Sequence, residues 1–344
     1  MRRAEIRFGI LGTGTVARYH ATAVAQTSGA RLVAVSRSDP SRMDEAEAIF
    51  GVPCEPNAEA LLARPDIDAV CICTPSGLHA PQAIAAAQAG KHVLVEKPMA
   101  LTLADADTMI TACHNAGVLL GVALQRRADP LFQGVRTAVE AGALGRLVLG
   151  TVSIPYVRPQ SYYDSASWRG TWAMDGGGAL MNQGIHLADL LLWYIGDVTE
   201  LSAHAATLAH TIEVEDCLTA TLRFKNGALG SLVATTAAAP GFPHRIEIYG
   251  DRGGVQIEGE RVARCEGGDM ESLRPFSAET PTDAGAGASP TGISALGHTS
   301  LVGDMVTAIR EGRPPLVPGE EGRRSLALVL AVYEAARTDL PVAL

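Results

Sequence analysis

Three polar side chains stand at helical spacing in an apolar stretch near the middle of the chain: Asn182, His186 and Asp189. Positions i, i+4 and i+7 share one face of a helix. An imidazole changes charge near neutral pH, so His186 is a candidate general acid or base. Asp189 could fix the tautomer of that ring or bind a substrate, whereas Asn182 can orient a hydroxyl group but cannot take a proton. The alternative is a structural helix with a hydrogen-bonded histidine.

A second candidate for chemistry is Lys97, in the sequence Val95-Glu96-Lys97-Pro98. It follows a predicted buried strand, and ligands of open α/β sheets bind where the parallel strands end. Pro98 has no backbone N–H and restrains the turn. A partly desolvated lysine at this place can polarise a substrate C–O bond, whereas a solvated surface charge is the alternative.

Within the aromatic segment Arg158–Asp175, the run Trp168–Trp172 predicts a wall that contacts a substrate. Its tryptophans can stack on sugar faces, while Arg169 can bind hydroxyl, carboxylate or phosphate groups. Tyr163 and Arg158 are weaker candidates for substrate binding, with surface roles as the alternative. The pair Arg126-Arg127 could bind an anionic group, and salt bridges explain it equally well.

A glycine-rich turn, Gly12-Thr13-Gly14-Thr15-Val16-Ala17, lies between a predicted strand and a predicted helix. Gly12 permits a tight turn, Gly14 lets the backbone approach a pyrophosphate, and the small Ala17 allows close packing of helix on strand. The first N–H groups of the helix then face the anion. We therefore expect residues 12–16 to bind a dinucleotide, with an ordinary glycine turn as the alternative.

The end of the second predicted strand bears on which dinucleotide binds. An NAD site usually has Asp or Glu there, to bind the ribose 2′-hydroxyl. This chain has Ser36-Arg37-Ser38 instead. A hydroxyl and a guanidinium suit a 2′-phosphate, so NADP is the preferred cofactor. Asp39 lies close enough that NAD remains an alternative cofactor, and Arg37 could be a solvated surface charge.

The elements that must position these residues alternate, in the first 125 residues, between short apolar runs and helical segments. Runs without polar alternation indicate strands of a parallel sheet that helices cover on both faces. The repeated βα units predict a doubly wound Rossmann domain over residues 1–125. Thr102, with Asp105 three residues on, and Gly117 predict the start and the end of one of its helices.

After Gln125 the pattern changes. Alternating residues in Leu218–Phe224, followed by an Asn226-Gly227 turn, predict a mostly antiparallel open sheet with one face free for a partner. We therefore expect a second α/β domain over residues 126–344. The stretch from Gly267 to Gly297 predicts a long mobile loop. Two closing helices follow that could pack back on the first domain: His298–Glu311 and Glu320–Arg337.

Composition excludes several classes of protein. The chain has 344 residues, 47% of them apolar and 19% charged, which excludes wholesale disorder. A formal net charge of −9 argues against nucleic acid or an anionic membrane as a partner. No apolar run is long enough to span a bilayer, and the N-terminus resembles a first strand more than a signal peptide. Six scattered cysteines predict reduced, buried thiols in a cytoplasmic protein, and no metal, serine-hydrolase or NTPase motif is present.

Together with the glycine turn, three further motifs resemble the Gfo/Idh/MocA oxidoreductases. They are Cys73-Thr74-Pro75 with His79, Glu96-Lys97-Pro98, and Gly176-Gly177-Gly178 with Asn182, Gly184, His186 and Asp189. The resemblance covers nearly the whole chain. It implies a nicotinamide-binding Rossmann domain joined to an α/β domain whose open sheet forms a homodimer or homotetramer. It also implies oxidation or reduction at a carbon of a sugar, an inositol or a sugar nucleotide.

The resemblance further implies roles for individual residues. Thr74, Pro75 and His79 would lie along the cofactor, and Glu96 near the nicotinamide ribose. Lys97 and His186 would act at the reacting carbon. Many family members carry Asp where this chain has Asn182. This departure argues against inositol as the substrate. In this respect the chain resembles members that act on nucleotide-linked amino sugars.

The leading hypothesis is an NAD(P)-dependent oxidoreductase that transfers hydride to or from a secondary alcohol carbon. In this hypothesis His186 is the acid or base and Lys97 polarises the C–O bond. One alternative is a glycosidase-like enzyme that oxidises and re-reduces its substrate with a retained NAD. The other is a dinucleotide-binding regulatory protein without catalysis, which would need neither Lys97 nor His186.

Overall fold

The computed structural model describes residues 5–268, 270–276 and 296–344. The chain forms two compact units. The first comprises Met1–Ala128 and Ser294–Leu326, and the second comprises Asp129–Ile293 and Ala327–Leu344. The division at Ala128 lies near the predicted boundary after residue 125, and part of the region that holds the closing helices belongs to the first unit.

The first unit is built on a six-stranded sheet in which all neighbouring strands are parallel. Its strands are β1 (Ile6–Leu11), β2 (Ala30–Ser36), β3 (Cys54–Glu55), β4 (Ala69–Ile72), β5 (His92–Val95) and β6 (Leu120–Val122). Their order is β3-β2-β1-β4-β5-β6, so the direction of winding reverses between β1 and β4. This order confirms the predicted Rossmann sheet, and the crevice at such a reversal is where ligands bind.

The helices that follow these strands match the predicted alternation. They are α1 (Thr15–Gln26), α2 (Met43–Phe50), α3 (Ala58–Leu62), α4 (His79–Gln88) and α5 (Leu103–Ala116). The predicted limits of α5 are confirmed, because the Thr102 side chain accepts from the Asp105 N–H and Gly117 is left-handed at φ 65°. The short elements β3 and α3 were not predicted, since two and five residues are too few to show a period.

The second unit contains an eight-stranded sheet. Its strands are β7 (Leu147–Pro155), β8 (Val198–Ala206), β9 (Cys217–Phe224), β10 (Leu229–Thr235), β11 (Arg245–Gly250), β12 (Gly253–Glu258), β13 (Arg261–Gly267) and β14 (Val342–Ala343). They are ordered β13-β12-β11-β7-β10-β9-β8-β14. Only β7 and β10 pair in parallel among these strands, which confirms a mostly antiparallel sheet.

The predicted alternation and hairpin turn of this sheet are also confirmed. Every second residue of β9 is buried, so one face of the strand packs on the core. The turn before β10 is closed by Asn226, whose side-chain oxygen accepts from the Ala228 N–H at 3.0 Å. Gly227 takes the left-handed conformation there, with φ 87°.

The helices of the second unit are α6 (Pro130–Glu140), α7 (Gln160–Asp164) and α8 (Ile185–Ile195). The helix that the spacing of Asn182, His186 and Asp189 predicts is wrong in its first part. A wide π-type turn, Ala179–Gly184, leads into α8 instead. Such wide turns recur at functional sites, and apolar spacing alone does not distinguish them from α-helix.

Two closing helices are confirmed, α9 (Leu296–Glu311) and α10 (Gly319–Thr338). Val302 and Val306 of α9 are buried in the core of the first unit, with Phe8 and Ile10 of β1. Most of the loop predicted between Gly267 and Gly297 lies outside the described residues. Its described part contains a short 3₁₀ helix, Glu271–Phe276.

Membrane-spanning helices and cysteines are the two features on which composition made a prediction here. No helix among them is long and apolar enough to cross a bilayer. All six cysteines carry free thiols. Four of these are buried as predicted, whereas Cys217 and Cys265 are partly exposed, because they lie on strands with one face toward solvent.

Candidate active site

The glycine turn after β1 has the geometry of a phosphate-binding loop. Gly12 has φ 90°, and a Cβ there would lie 2.8 Å from the Cys73 carbonyl oxygen. Gly14 precedes the first turn of α1, which has neither a side-chain cap nor an acidic residue. A Cβ at Gly14 would meet no atom within 4 Å. The turn therefore leaves open space beside an uncapped helix N-terminus, and a pyrophosphate fits these residues.

The end of β2 lies against this turn. The Ser36 carbonyl accepts from the Gly12 N–H at 3.1 Å, and the Ser36 side chain is buried. The Arg37 guanidinium donates to Thr13 Oγ1 at 2.8 Å, while its buried Nε has no hydrogen-bond partner. Asp39 is exposed, and its carboxylate accepts from the N–H and the hydroxyl of Ser41. A cation therefore lies beside the phosphate turn, whereas the nearby carboxylate caps a short helix.

The predicted cofactor residues Thr74 and Pro75 lie in the loop after β4, and His79 begins α4. Thr74 packs against the glycine turn, because its Cγ2 would lie 3.2 Å from a Cβ at Gly12. The His79 ring is 1% exposed. Its two nitrogens lie 2.9 Å from the Thr74 carbonyl oxygen and 2.8 Å from the Pro98 carbonyl oxygen. His79 thus connects the loops after β4 and β5, and burial lowers the pKa of its imidazole.

Glu96 is the centre of a buried polar cluster at the end of β5. Its Oε1 lies 2.8 Å from His20 Nε2 and 3.6 Å from His298 Nε2. Its Oε2 accepts from the backbone N–H of Lys97 at 3.2 Å. Burial opposes ionisation, yet the two histidines hold the pKa of the Glu96 carboxyl well below its usual range. Burial also lowers the pKa of His20, so its neutral ring donates an Nε2–H hydrogen bond to the carboxylate.

This cluster also supplies the donor set best suited to a metal among the residues that the structure describes. One ligand atom from each of His20, Glu96 and His298 lies within 4.8 Å of the others. The 2.8 Å separation of the first two atoms is a normal hydrogen-bond distance, and a metal would have to displace the shared proton. We therefore assign the three residues to a hydrogen-bonded cluster that fixes the backbone before Lys97, which is itself partly exposed.

Asn182 lies in the wide turn before α8. Its side-chain amide donates to Asp175 Oδ1 at 2.7 Å. The other carboxylate oxygen of Asp175 accepts from the Gly170 N–H at 2.9 Å. Asp175 therefore links the turn to the aromatic segment that precedes it, a contact that sequence spacing did not reveal.

His186 and Asp189 both lie on α8. The His186 side chain is 9% exposed, and Asp189, about one turn further on, is 1% exposed. Asp189 could either fix the tautomer of the His186 ring or bind a substrate. Its burial favours an interaction with neighbouring protein groups over direct contact with a substrate.

The aromatic segment divides into two parts. The Arg169 guanidinium lies 4.4 Å from the ring centre of Tyr162 and 4.6 Å from that of Trp168. Tyr163 is 5% exposed, and its hydroxyl lies 2.8 Å from Thr236 Oγ1. The structure thus brings Trp168 and Arg169 together, while Tyr163 is a core residue whose polar tip is already hydrogen-bonded.

Several residues at these sites were not singled out from the sequence: His20, Asp175, Glu215, His298 and Tyr333. All except Asp175 contact a segment distant in the chain, so spacing could not reveal their partners. One signal was visible, however. Glu215 and Asp216 interrupt an apolar pattern just before β9, and a carboxylate at a buried position needs a compensating set of donors.

Comparison with known families matches both units. Residues 6–124 match a family model described as an oxidoreductase family with an NAD-binding Rossmann fold. Residues 132–256 match the GFO/IDH/MocA C-terminal domain.

Individual relatives resemble the chain over nearly its full length. The WlbA dehydrogenase from Bordetella pertussis, solved with NADH and UDP-GlcNAcA, is 37% identical with a TM-score of 0.92, covering 100% of this chain and 99% of that one. D-apiose dehydrogenase from Paraburkholderia graminis is 31% identical over 97% of this chain and 88% of its own. Myo-inositol 2-dehydrogenase from Thermotoga maritima is 29% identical over 96% of each chain.

The contact between Asn182 and Asp175 generates a stability prediction. Asn182→Asp would place two carboxylates against each other, which raises the pKa of one of them in the folded state. We expect the free energy of unfolding to fall by about 2 kcal/mol at neutral pH. The loss should shrink as the pH falls below the raised pKa and disappear below the ordinary carboxyl pKa, and denaturant unfolding at several pH values measures it. Asn182→Ala, the control, should lose less and without this pH dependence; an Asp variant as stable as the parent at neutral pH would contradict the assignment.

Proposed function

Because the chain belongs to the Gfo/Idh/MocA family of oxidoreductases, we propose that it transfers hydride between a nicotinamide dinucleotide and a secondary alcohol carbon of a sugar-like molecule. It is an NAD(P)-dependent dehydrogenase or reductase that acts on CH–OH groups. Relatives of the chain include dehydrogenases of inositol and apiose and a reductase of 1,5-anhydro-D-fructose. These names support the oxidoreductase over the glycosidase-like enzyme and the non-catalytic regulator.

The observation that carries the proposal is the open glycine turn at the reversal of the parallel sheet. Gly14 leaves space for a pyrophosphate, and Lys97 follows the end of β5 at the same edge of the sheet. A screen of sugars, polyols and sugar nucleotides with each dinucleotide, read by the absorbance of the reduced nicotinamide, tests it. Turnover without added dinucleotide would favour the glycosidase-like alternative instead.

We propose distinct roles for the two catalytic residues. The nicotinamide, when bound, supplies or accepts the hydride. Lys97 donates to the substrate oxygen and stabilises the charge that develops there. His186 takes the hydroxyl proton during oxidation and returns it during reduction. The Glu96 carboxylate supports Lys97 because it accepts a hydrogen bond from the Lys97 backbone N–H.

For the substrate we propose a sugar that carries an anionic group, such as a nucleoside diphosphate or a carboxylate. Arg169 supports this, because its guanidinium lies over two aromatic rings that can also stack on a sugar. Trp168 is one of those rings. The solved complex of the Bordetella relative with UDP-GlcNAcA supports the same class. Comparing free sugars with their UDP-linked forms in the activity screen tests this choice.

We also propose a cytoplasmic homodimer or homotetramer that forms through the open sheet. The free cysteines support the location, because oxidising compartments favour disulfides. Leu149 and Leu229 pair across β7 and β10 and are 39% and 51% exposed, and Val233 is 37% exposed on the same strand as Leu229. Apolar side chains grouped on a sheet face support a protein partner. Sedimentation velocity measures the oligomeric state, and a monomer would refute it.

The cofactor preference gives the next prediction. We expect NADPH to bind more tightly than NADH, because Arg37 lies at the phosphate turn and Ser36 replaces the usual carboxylate. Ser36→Asp should reverse the preference by repelling the 2′-phosphate. Fluorescence titration of both dinucleotides measures the two dissociation constants. Tighter binding of NADH by the unmodified protein would show that the 2′-phosphate is not recognised.

The role of Lys97 predicts a selective loss of rate. Lys97→Met should lower kcat on the order of 10²–10³-fold, the effect of removing one group that stabilises developing charge. The dissociation constant of the dinucleotide should change little, because the glycine turn provides the pyrophosphate contacts. Steady-state kinetics and a binding titration separate the two effects. A variant with near-normal kcat would place the chemistry elsewhere.

His186 provides a complementary prediction. His186→Asn should reduce kcat by about 10²–10⁴-fold, as expected for a positioned acid or base. In the parent enzyme, oxidation should slow at acidic pH, because a protonated imidazole cannot accept the alcohol proton. The asparagine variant should lose this acidic limb. If it keeps both its rate and the limb, another group carries the proton.

A further inference from the structure

The backbone that leads into the His186 helix is held by a glutamate from a distant part of the chain. Glu215 Oε2 accepts from the Gly178 N–H at 2.8 Å, and Glu215 Oε1 accepts from the Leu180 N–H at 2.8 Å. The Glu215 carbonyl oxygen accepts from the Ala179 N–H at 3.1 Å. Three consecutive N–H groups at the start of the wide turn are therefore bound by one residue.

Tyr333 of α10 completes the arrangement. Its hydroxyl accepts from the Met181 N–H at 3.1 Å and donates to Glu215 Oε1 at 3.0 Å. A helix leaves its first four N–H groups without partners inside the helix. Glu215 and Tyr333 together supply acceptors for four consecutive N–H groups here, and a carboxylate at this end also complements the helix dipole.

The glycines of this segment are explained by the same two residues. Gly177 has φ 159°, and a Cβ there would lie 2.3 Å from the Tyr333 hydroxyl oxygen. At Gly178 a Cβ would lie 1.7 Å from the Glu215 carbonyl oxygen. Any side chain would push the segment away from its anchors, so the backbone is shaped for close contact with Glu215 and Tyr333.

The Glu215 carboxyl lies in an environment of neutral donors. The side chain is 4% exposed, and burial raises its pKa to about 7 even though three donors favour the charged form. Tyr333 is the titratable group that contacts it from α10, and burial keeps that hydroxyl protonated by raising its pKa well above the usual value. The neighbouring Asp216 is directed to other partners, the N–H groups before β9 and the ring of His210.

We propose that Glu215, together with Tyr333, is a positioning residue for the reaction. The pair fixes the wide turn Ala179–Gly184 and so sets where Asn182 and His186 stand. The inference rests on the proposed role of His186. It requires no contact between Glu215 and a substrate, because the effect passes through the backbone of the turn.

The raised pKa gives the inference a signature with a definite sign. Opening the turn exposes the carboxyl to water, where its pKa returns toward the ordinary value, so opening releases a proton when the pH lies between the two values. The closed turn is therefore most stable below the ordinary value and loses stability as the pH rises through about 7. A cap that does not titrate would show no such dependence.

The experiment measures hydrogen exchange and kinetics on the intact protein. Exchange protection of the amides at 178–181, corrected for the intrinsic rate, should fall on the order of tenfold as the pH rises from about 5.5 to about 7.5. Glu215→Gln should lower that protection at least tenfold and remove its dependence on pH, because the side-chain amide turns an N–H toward another N–H. Its kcat should fall at least tenfold, with the dissociation constant of the dinucleotide unchanged within about twofold.

Two further variants make the result interpretable. Tyr333→Phe keeps the ring against Trp172 but removes the acceptor of the Met181 N–H, so it should lower protection and kcat in the same direction, to a smaller extent. Glu213→Gln is the matched control, since this exposed glutamate accepts from the Trp172 N–H outside the turn and should change neither quantity. Tyr333→Phe also provides the test if Glu215→Gln does not fold.

Unchanged protection in Glu215→Gln and Tyr333→Phe, or lost protection with full kcat, would overturn the inference. Failure of the proposed function is a different result. In that case the parent protein oxidises and reduces none of the tested alcohols, or His186→Asn keeps full activity. The exchange measurements do not depend on turnover, so they still decide whether Glu215 and Tyr333 hold the turn.

Discussion

A buried carboxylate holds each of the two segments that carry the candidate site residues Lys97 and His186. The need to compensate that burial is the constraint on which the rest of this structure depends. Glu96 supports the backbone before Lys97, and Glu215 supports the turn before His186; they are 6% and 4% exposed. A buried carboxylate is tolerable only when donors surround it. Imidazoles can share or carry charge, and they hold the pKa of Glu96 low. Backbone N–H groups and a tyrosine are neutral dipoles, so burial prevails at Glu215 and raises its pKa to about 7.

Much of the fold could be predicted because its signals are local. Buried strands that alternate with helices identify the Rossmann sheet, and the cap at Thr102 and the turn at Asn226 each need only a few neighbouring residues. The glycine turn at Gly12 and Gly14 was recognisable for the same reason, since its position between strand and helix determines its role. These predictions depend on periodicity and turn chemistry, which tertiary contacts did not override here.

The site was less predictable, because its contacts join segments far apart in the chain. Glu215 follows Gly178 by 37 positions, and His298 lies in a helix of the C-terminal region that packs into the first unit. The wide turn before α8 has the same apolar spacing as an α-helix, so no period reveals it. Tyr163 resembled a substrate residue by type and neighbourhood, yet Thr236 engages its hydroxyl in the core. Residue type indicates the available chemistry, whereas only packing decides which polar atoms remain accessible.

The departure at Asn182 shows how such contacts restrict a site residue. Asp175 uses one oxygen for the Gly170 N–H and the other for the Asn182 amide. Position 182 must therefore supply a donor, which an ionised aspartate lacks. Gly170 follows Arg169 directly, so Asp175 joins the segment that holds Trp168 and Arg169 to the turn that leads to His186. Compared with an aspartate, the amide at position 182 connects the two segments through a hydrogen bond to Asp175. It also removes one group that could accept a proton. A single carboxylate thus ties the aromatic segment to the turn.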